Sequence, residues 1–100
     1  MHDSERGKIL AEADELIHGD RNKHYGSPTE NFSRIAAMWT VQLELKLAPG
    51  QKIEPEDVAA LMVSTKLARH VAAPKRDNWV DMAGYAACGW ESSQQSSIRG

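Results

Sequence analysis

Residues 27–47 read Ser27-Pro28-Thr29-Glu30-Asn31-Phe32-Ser33-Arg34-Ile35-Ala36-Ala37-Met38-Trp39-Thr40-Val41-Gln42-Leu43-Glu44-Leu45-Lys46-Leu47, and they set the class of the whole chain. Ser27 is a capping residue, Pro28 suits the first helical position, and Glu30 closes a capping box. Phe32, Ile35, Ala36, Trp39, Leu43 and Leu47 then fall on one face of a helix at about 100° per residue. Pro49-Gly50 ends the segment. Met38, Val41 and Leu45 lie on a different side, so this helix carries two apolar surfaces, and the second favours oligomerisation.

The pattern repeats on both sides of this segment. Residues 4 to 18 place Ile9, Leu10, Ala13, Leu16 and Ile17 on one stripe that stops at Gly19. A third helix is expected from Pro55, just after Glu54, to about Val71 through Val58, Leu61, Met62, Thr65 and Ala68, with Pro74 blocking its continuation. A fourth begins near Asp77 or Asn78 and carries Trp79, Met82, Ala83, Ala86 and Trp90; the small residues between Ala83 and Gly89 permit close helix approach. Trp39 and Trp79, at helical spacing, are expected in the core. From Ser92 the chain is polar and without period, which predicts a single domain at 1–91 and a flexible tail at 92–100. No strand alternation competes, so the expected fold is all-α, a small antiparallel bundle of about four helices.

Composition narrows the function. The chain has 100 residues, enough for one domain, and its small apolar faces suggest that a second subunit completes the core. Twelve Lys and Arg against 14 Asp and Glu give a net charge of -2. There is thus no basic field, and direct binding to nucleic acid is not expected. The single cysteine, Cys88, excludes an internal disulfide and reads as a small core residue. With no apolar leader and no 18-residue apolar run, a soluble, cytoplasmic protein without a membrane segment is expected.

Phosphate loops, nucleophile elbows and paired cysteine or histidine spacings are all missing, which leaves acidic and basic groups as the candidates for chemistry. Glu54 and Asp57 stand three apart at the start of the third helix; Asp77 and Asp81 stand four apart at the start of the fourth. If those two helix starts lie side by side, four carboxylates converge as oxygen ligands for Mg²⁺, a geometry suited to substrate phosphates. Capping and the helix dipole account equally for Glu54, Asp57 and Asp77. Asp81 lies a full turn inside its helix, where the alternative is a salt bridge to Lys66 or Arg69. Arg69, at the edge of the third helix's apolar stripe, needs an anion: Asp77, Asp81 or a phosphate. The connector Asp20–Gly26 offers His24 and Tyr25, and the next helix offers Asn31, for a base or sugar; a packed tyrosine beside a turn glycine is the plainer alternative.

Three strings taken together, Lys23-His24-Tyr25-Gly26-Ser27-Pro28 with Glu30-Asn31-Phe32, then Pro55-Glu56-Asp57-Val58 leading to Lys66-Leu67-Ala68-Arg69, then Asp77-Asn78-Trp79-Val80-Asp81-Met82-Ala83-Gly84-Tyr85, resemble a family of small proteins encoded by bacteriophages and prophages. That resemblance implies action in the cytoplasm of a bacterial host. More distantly, the chain is similar to the all-α nucleoside triphosphate pyrophosphohydrolases of the MazG and dimeric dUTPase type, which oligomerise and bind Mg²⁺ through an ExxE motif followed by ExxD. On that likeness Glu54-xx-Asp57 stands for the first half and Asn78-xx-Asp81 for the second. Asn78 departs by lacking a carboxylate, Asp57 by replacing a glutamate, and the first pair by sitting at a helix start.

The leading expectation is therefore an oligomeric, phage-type nucleotide-binding protein that holds Mg²⁺ through Glu54, Asp57, Asp77 and Asp81 and cleaves a (d)NTP to monophosphate and pyrophosphate. Asp81 and Asp77 would orient water, Lys66 and Arg69 would neutralise phosphate charge, and Tyr25, His24 and Asn31 would meet base or sugar. The alternatives are a binder that sequesters nucleotide uncleaved, or a non-enzymatic module that dimerises through Met38, Val41 and Leu45 and binds a host or phage protein.

Overall fold

The computed structural model of the chain describes residues 4–19 and 27–99, with side chains as far as Gln95. Among the described residues there are four helices, α1 (Glu5–His18), α2 (Pro28–Leu43), α3 (Pro55–Ala72) and α4 (Arg76–Arg99), and no strand. The all-α expectation holds. Local chemistry starts the first three. The Ser4 hydroxyl accepts from the Gly7 N–H at 3.1 Å, and the Ser27 hydroxyl accepts from the Glu30 N–H at 3.1 Å, each satisfying a donor with no partner inside its helix. Pro55 opens α3, and there the Asp57 carboxylate accepts from the Glu54 N–H at 2.8 Å.

Helix α4 touches each of the other three, and its pairing with α3 is the most extensive. The two run antiparallel: Gly89 lies against Ala59, Asp81 against Lys66, and Asn78 against His70. Gly89 is required there, because a Cβ built on it would stand 2.8 Å from the Ala59 Cβ, closer than two carbons can approach. On another side of α4, α1 runs parallel to it, with Glu12 at Arg76 and Ile17 against Gly84, where an added Cβ would meet Ile17 Cγ2 at 3.2 Å. Phe32, Ala36, Val58, Ala59 and Cys88 form the core cluster, with Ile17, Ile35, Trp39, Ile53, Met62 and Tyr85 packed around it.

Several sequence expectations are corrected here. Helix α2 ends at Leu43, several residues before Pro49, and the chain turns through residues 44–47. Leu45 beyond it is 96% exposed; Thr40 then recovers the chain by donating to the Ala36 carbonyl and accepting from the Ile53 N–H. In α3 the buried side is Val58 and Ala59, with Met62 beside them; Leu61 and Ala68 face outward. In α1 the buried line runs through Gly7 and Ala13, while Leu10 and Leu16 are exposed. Trp39 packs on the core as expected, but Trp79 is half exposed. Helix α4 also continues past Ser92, which is fully buried with its hydroxyl 3.3 Å from that of buried Thr29. Polarity without periodicity gave no sign that Ser92 itself is buried; the helix and the hydroxyl contact with Thr29 hold that residue.

Candidate functional site

Carboxylates at helix ends serve first to satisfy backbone donors, and that is what Glu54 and Asp57 do. Asp57 is exposed and receives the Glu54 N–H, while the Glu54 carboxylate lies 3.8 Å from Lys52. The second pair is placed differently. Asp77 and Asp81 line a groove of about 440 Å³ between α1 and α4, and the other carboxylates in it are Glu12 and Glu15 of α1. The carboxylates that share this groove with Asp77 and Asp81 are therefore two that the sequence reading passed over, in place of Glu54 and Asp57. Their signal was present: Glu12-xx-Glu15 has the spacing that puts two acids on one helix flank, but it reads equally as the wet side of an amphipathic helix.

Two of the four acids already have cations. Asp81, at 27% side-chain exposure, sits 2.8 Å from the Lys66 ammonium at 18% exposure. At that partial burial, screening is weaker than on open surface, and the pair links α3 to the second turn of α4. Arg76 forks onto both oxygens of Glu12. Those hydrogen bonds hold the Glu12 carboxyl below the usual carboxylate range, outweighing the opposite effect of desolvation. Among the described residues, no three acidic, histidine or cysteine side chains stand together as a metal-binding set.

The remaining sequence candidates are dispersed. Arg69 is exposed in the last turn of α3, and the pair that forms at Asp81 is with Lys66. Asn31 is half-buried in the first turn of α2. His24 and Tyr25 lie outside the described residues. One polar cluster was not foreseen. At the α3–α4 corner His70 Nδ1 accepts from the Lys75 N–H at 3.2 Å and lies 3.3 Å from Asn78 Nδ2, and its ring meets Trp79 edge-on at 4.9 Å. An Nδ1 that accepts the Lys75 N–H carries no proton, so the ring hydrogen is on Nε2. This arrangement ties off the turn around Pro74, and its sequence signal, a histidine five residues before Lys75, has no distinctive spacing.

The outer side of the α3–α4 pair is apolar. Trp79 is 50% exposed, Trp90 70% and Val71 79%. Beside Trp90 an apolar groove of about 300 Å³ opens between the helices, walled by Ala59, Ala60, Val63, Ala86 and Gly89, with Glu56 at its edge. On α2, Met38, Val41 and Leu45 are exposed as the sequence reading places them.

No helix among the described residues is long and apolar enough to cross a membrane. Comparison with known proteins places the chain among phage proteins. It is 48% identical over 81 residues to the Gene 55 protein of Mycobacterium phage D29, which covers 80% of this chain and 50% of that protein. It is 40% identical over 79 residues to the Gene 55 protein of Mycobacterium phage L5, covering 78% and 47% respectively. The chain thus spans about half the length of the curated relatives it matches. No solved structure matches it. The model of a domain of unknown function, DUF6378, matches residues 8–93, nearly the whole helical assembly, and the chain belongs to that family.

Proposed function

We propose that this domain works by association, as a helical interaction module whose functional surface is apolar. The observation that carries this reading is the exposure of Trp79 and Trp90 on one side of α4 beside an apolar groove. Two large aromatics exposed on one side of a helix beside an apolar groove form the kind of patch that marks a contact surface, and burying each is worth about 1.5–3 kcal/mol. The carboxylates, by contrast, have partners suited to structural work: a helix start for Asp57, Lys66 for Asp81 and Arg76 for Glu12.

A second reading is favoured by the four carboxylates in the α1–α4 groove. In it the domain binds a (d)NTP with Mg²⁺ and cleaves it to monophosphate and pyrophosphate, as the MazG-type likeness implies. Asp77 and Asp81 are then joined by Glu12 and Glu15, with Lys66 and Arg69 toward phosphate and Asn31, His24 and Tyr25 toward base or sugar. The donors as arranged do not fit the ion, since Asp81 is committed to Lys66 and Glu12 to Arg76, and no step through a metal follows from this geometry. Sequestration of uncleaved nucleotide is the same reading without turnover.

One experiment separates the two. The purified protein is incubated with a panel of ribo- and deoxyribonucleoside triphosphates and Mg²⁺, with Asp81→Asn and Asp77→Asn as controls, and calorimetry measures binding in parallel. The association reading expects no product and no binding heat in any arm. Metal-dependent release of monophosphate and pyrophosphate that either variant abolishes while remaining folded would overturn it in favour of hydrolysis. Binding without product would overturn it in favour of sequestration.

A further inference from the structure

We infer that the partner of the α3–α4 outer face is a second copy of this chain, related by a two-fold axis, with Trp90 of each copy seated in the groove of the other. This rests on the association reading above and specifies its surface and occupant.

The groove arises from the close contact of α3 and α4. Ala59 and Gly89 bring the backbones so near that no Cβ fits at 89, and short Ala60, Val63 and Ala86 leave a trough outside, with Tyr85, Trp90 and Ser93 completing its walls. What fills it best is apolar, with a polar hydrogen for the Glu56 carboxylate that lines it. An indole meets each condition: it has one N–H donor and no acceptor, and a buried indole N–H needs a partner. Size agrees as well, because an apolar cavity of about 150 Å³ takes a benzene ring, and this open groove is about 300 Å³.

The chain carries that indole at the groove's own rim, at 70% exposure. A knob beside its hole on one surface is the condition for an isologous contact, because a single two-fold rotation exchanges both and closes the assembly at two copies. Helix α4 supports this geometry along its length. Trp79, Ala83, Ala86 and Trp90 are spaced four, three and four apart, the seam along which two helices interlock, with alanines at its middle where the backbones must approach. At their exposures of 50% and 70%, the two indoles alone offer roughly 300 Å². Val71, Leu67 and the alanine-lined trough bring the face toward the ~800 Å² per partner of a standard interface. The stripe of Met38, Val41 and Leu45 on α2 is exposed as well, but neither of the two grooves described above is lined by α2.

Sedimentation equilibrium over a wide concentration range tests this on four proteins: wild type, Trp90→Ala, Ala60→Glu in the groove wall, and Met38→Glu on α2, each checked for helicity by circular dichroism. The expected result is a wild-type dimer whose dissociation constant rises at least ~30-fold in Trp90→Ala, the scale of a hot-spot loss. Ala60→Glu weakens it comparably and Met38→Glu leaves it unchanged. A dimer that Met38→Glu dissociates and Trp90→Ala does not would overturn this inference while leaving the association reading intact. A wild-type monomer at every concentration would overturn the inference; nucleotide turnover in the preceding experiment would overturn the reading beneath it.

Discussion

The inner and outer sides of α4 are built from the same kind of residue and finished to different degrees. Inward, Gly84 and Gly89 let Ile17 and Ala59 come into contact, Asp81 is paired, and Ser92 shares its hydroxyl contact with Thr29. Outward, alanines lie between two exposed tryptophans, with a trough beside them that no side chain among the described residues fills. Small residues therefore have two uses along one helix. Where a second helix already sits on them they fix a close approach; where none does, they leave room for one.

The contrast is broken most severely on the inner side. Gly89→Val forces side-chain atoms into space held by the Ala59 Cβ, whose neighbour is backbone-rigid α3, and is expected to destabilise the domain by about 3 kcal/mol. For a domain of this size that lowers the Tm by roughly 12–24 °C, readable by thermal melting in circular dichroism. Wild-type melting in Gly89→Val would mean that α3 and α4 are further apart than described.

Next in size is the half-buried ion pair. Asp81→Ala leaves the Lys66 ammonium near the α3–α4 boundary without its partner, at an expected cost of about 1–2 kcal/mol, between the values for surface and fully buried pairs. The double variant Lys66→Met with Asp81→Leu should recover most of it, since removing both charges removes the desolvation cost with the attraction. A double variant as unstable as the single one would show that Asp81 has a role beyond its pairing.

How far these features were legible follows from the kind of interaction involved. Helix starts depend on neighbouring residues, so Ser27 and Pro55 announced α2 and α3 directly, while the Ser4 cap of α1 went unread and that helix was placed by its apolar residues alone. Which flank of each helix is buried depends on contacts between distant residues, and there the patterns misled: the stripe Leu61 and Ala68 looked like a core face, but α4 packs on the side of Ala59 and Lys66 instead. The acidic residues divide in the same way. Glu54 and Asp57 act within one turn, and their capping alternative could be stated from spacing alone. The meeting of Glu12 and Glu15 with Asp77 and Asp81 depends on α1 lying parallel to α4, a relation between helices far apart in the chain that no local spacing encodes. Trp79 was misplaced because an apolar residue at helical spacing reads as core whether the surface it meets belongs to its own chain or to a partner.

On the outer side the effects on folding should be small. Trp90→Ala, measured by melting at a concentration below the dimer's dissociation constant, is expected to change stability by less than about 0.5 kcal/mol, because its side chain is already mostly in water. A large loss would place Trp90 in the inner packing and erase the contrast. Smallest of all is the exposed Glu12–Arg76 fork, which joins α1 to α4. Its contribution has a definite direction with pH. The folded carboxyl is held below its ordinary value, so the contribution is present at neutral pH and is lost as pH falls through the folded value. Melting curves of wild type and Glu12→Gln should differ at pH 7 and converge in acid; a difference that grows as pH falls would reverse the assigned sign.

The central claim, that the outer side of α4 is completed by another copy, is most directly tested at Trp90 itself. Fluorine NMR of fluorotryptophan-labelled protein resolves the three tryptophans, and Trp90→Phe assigns the resonance concerned. Dilution from a dimeric to a monomeric concentration should move the Trp90 resonance toward the shift of a solvent-exposed indole, with that of core-packed Trp39 unchanged. A Trp90 resonance that already reports full exposure and does not move over the whole range would contradict the claim.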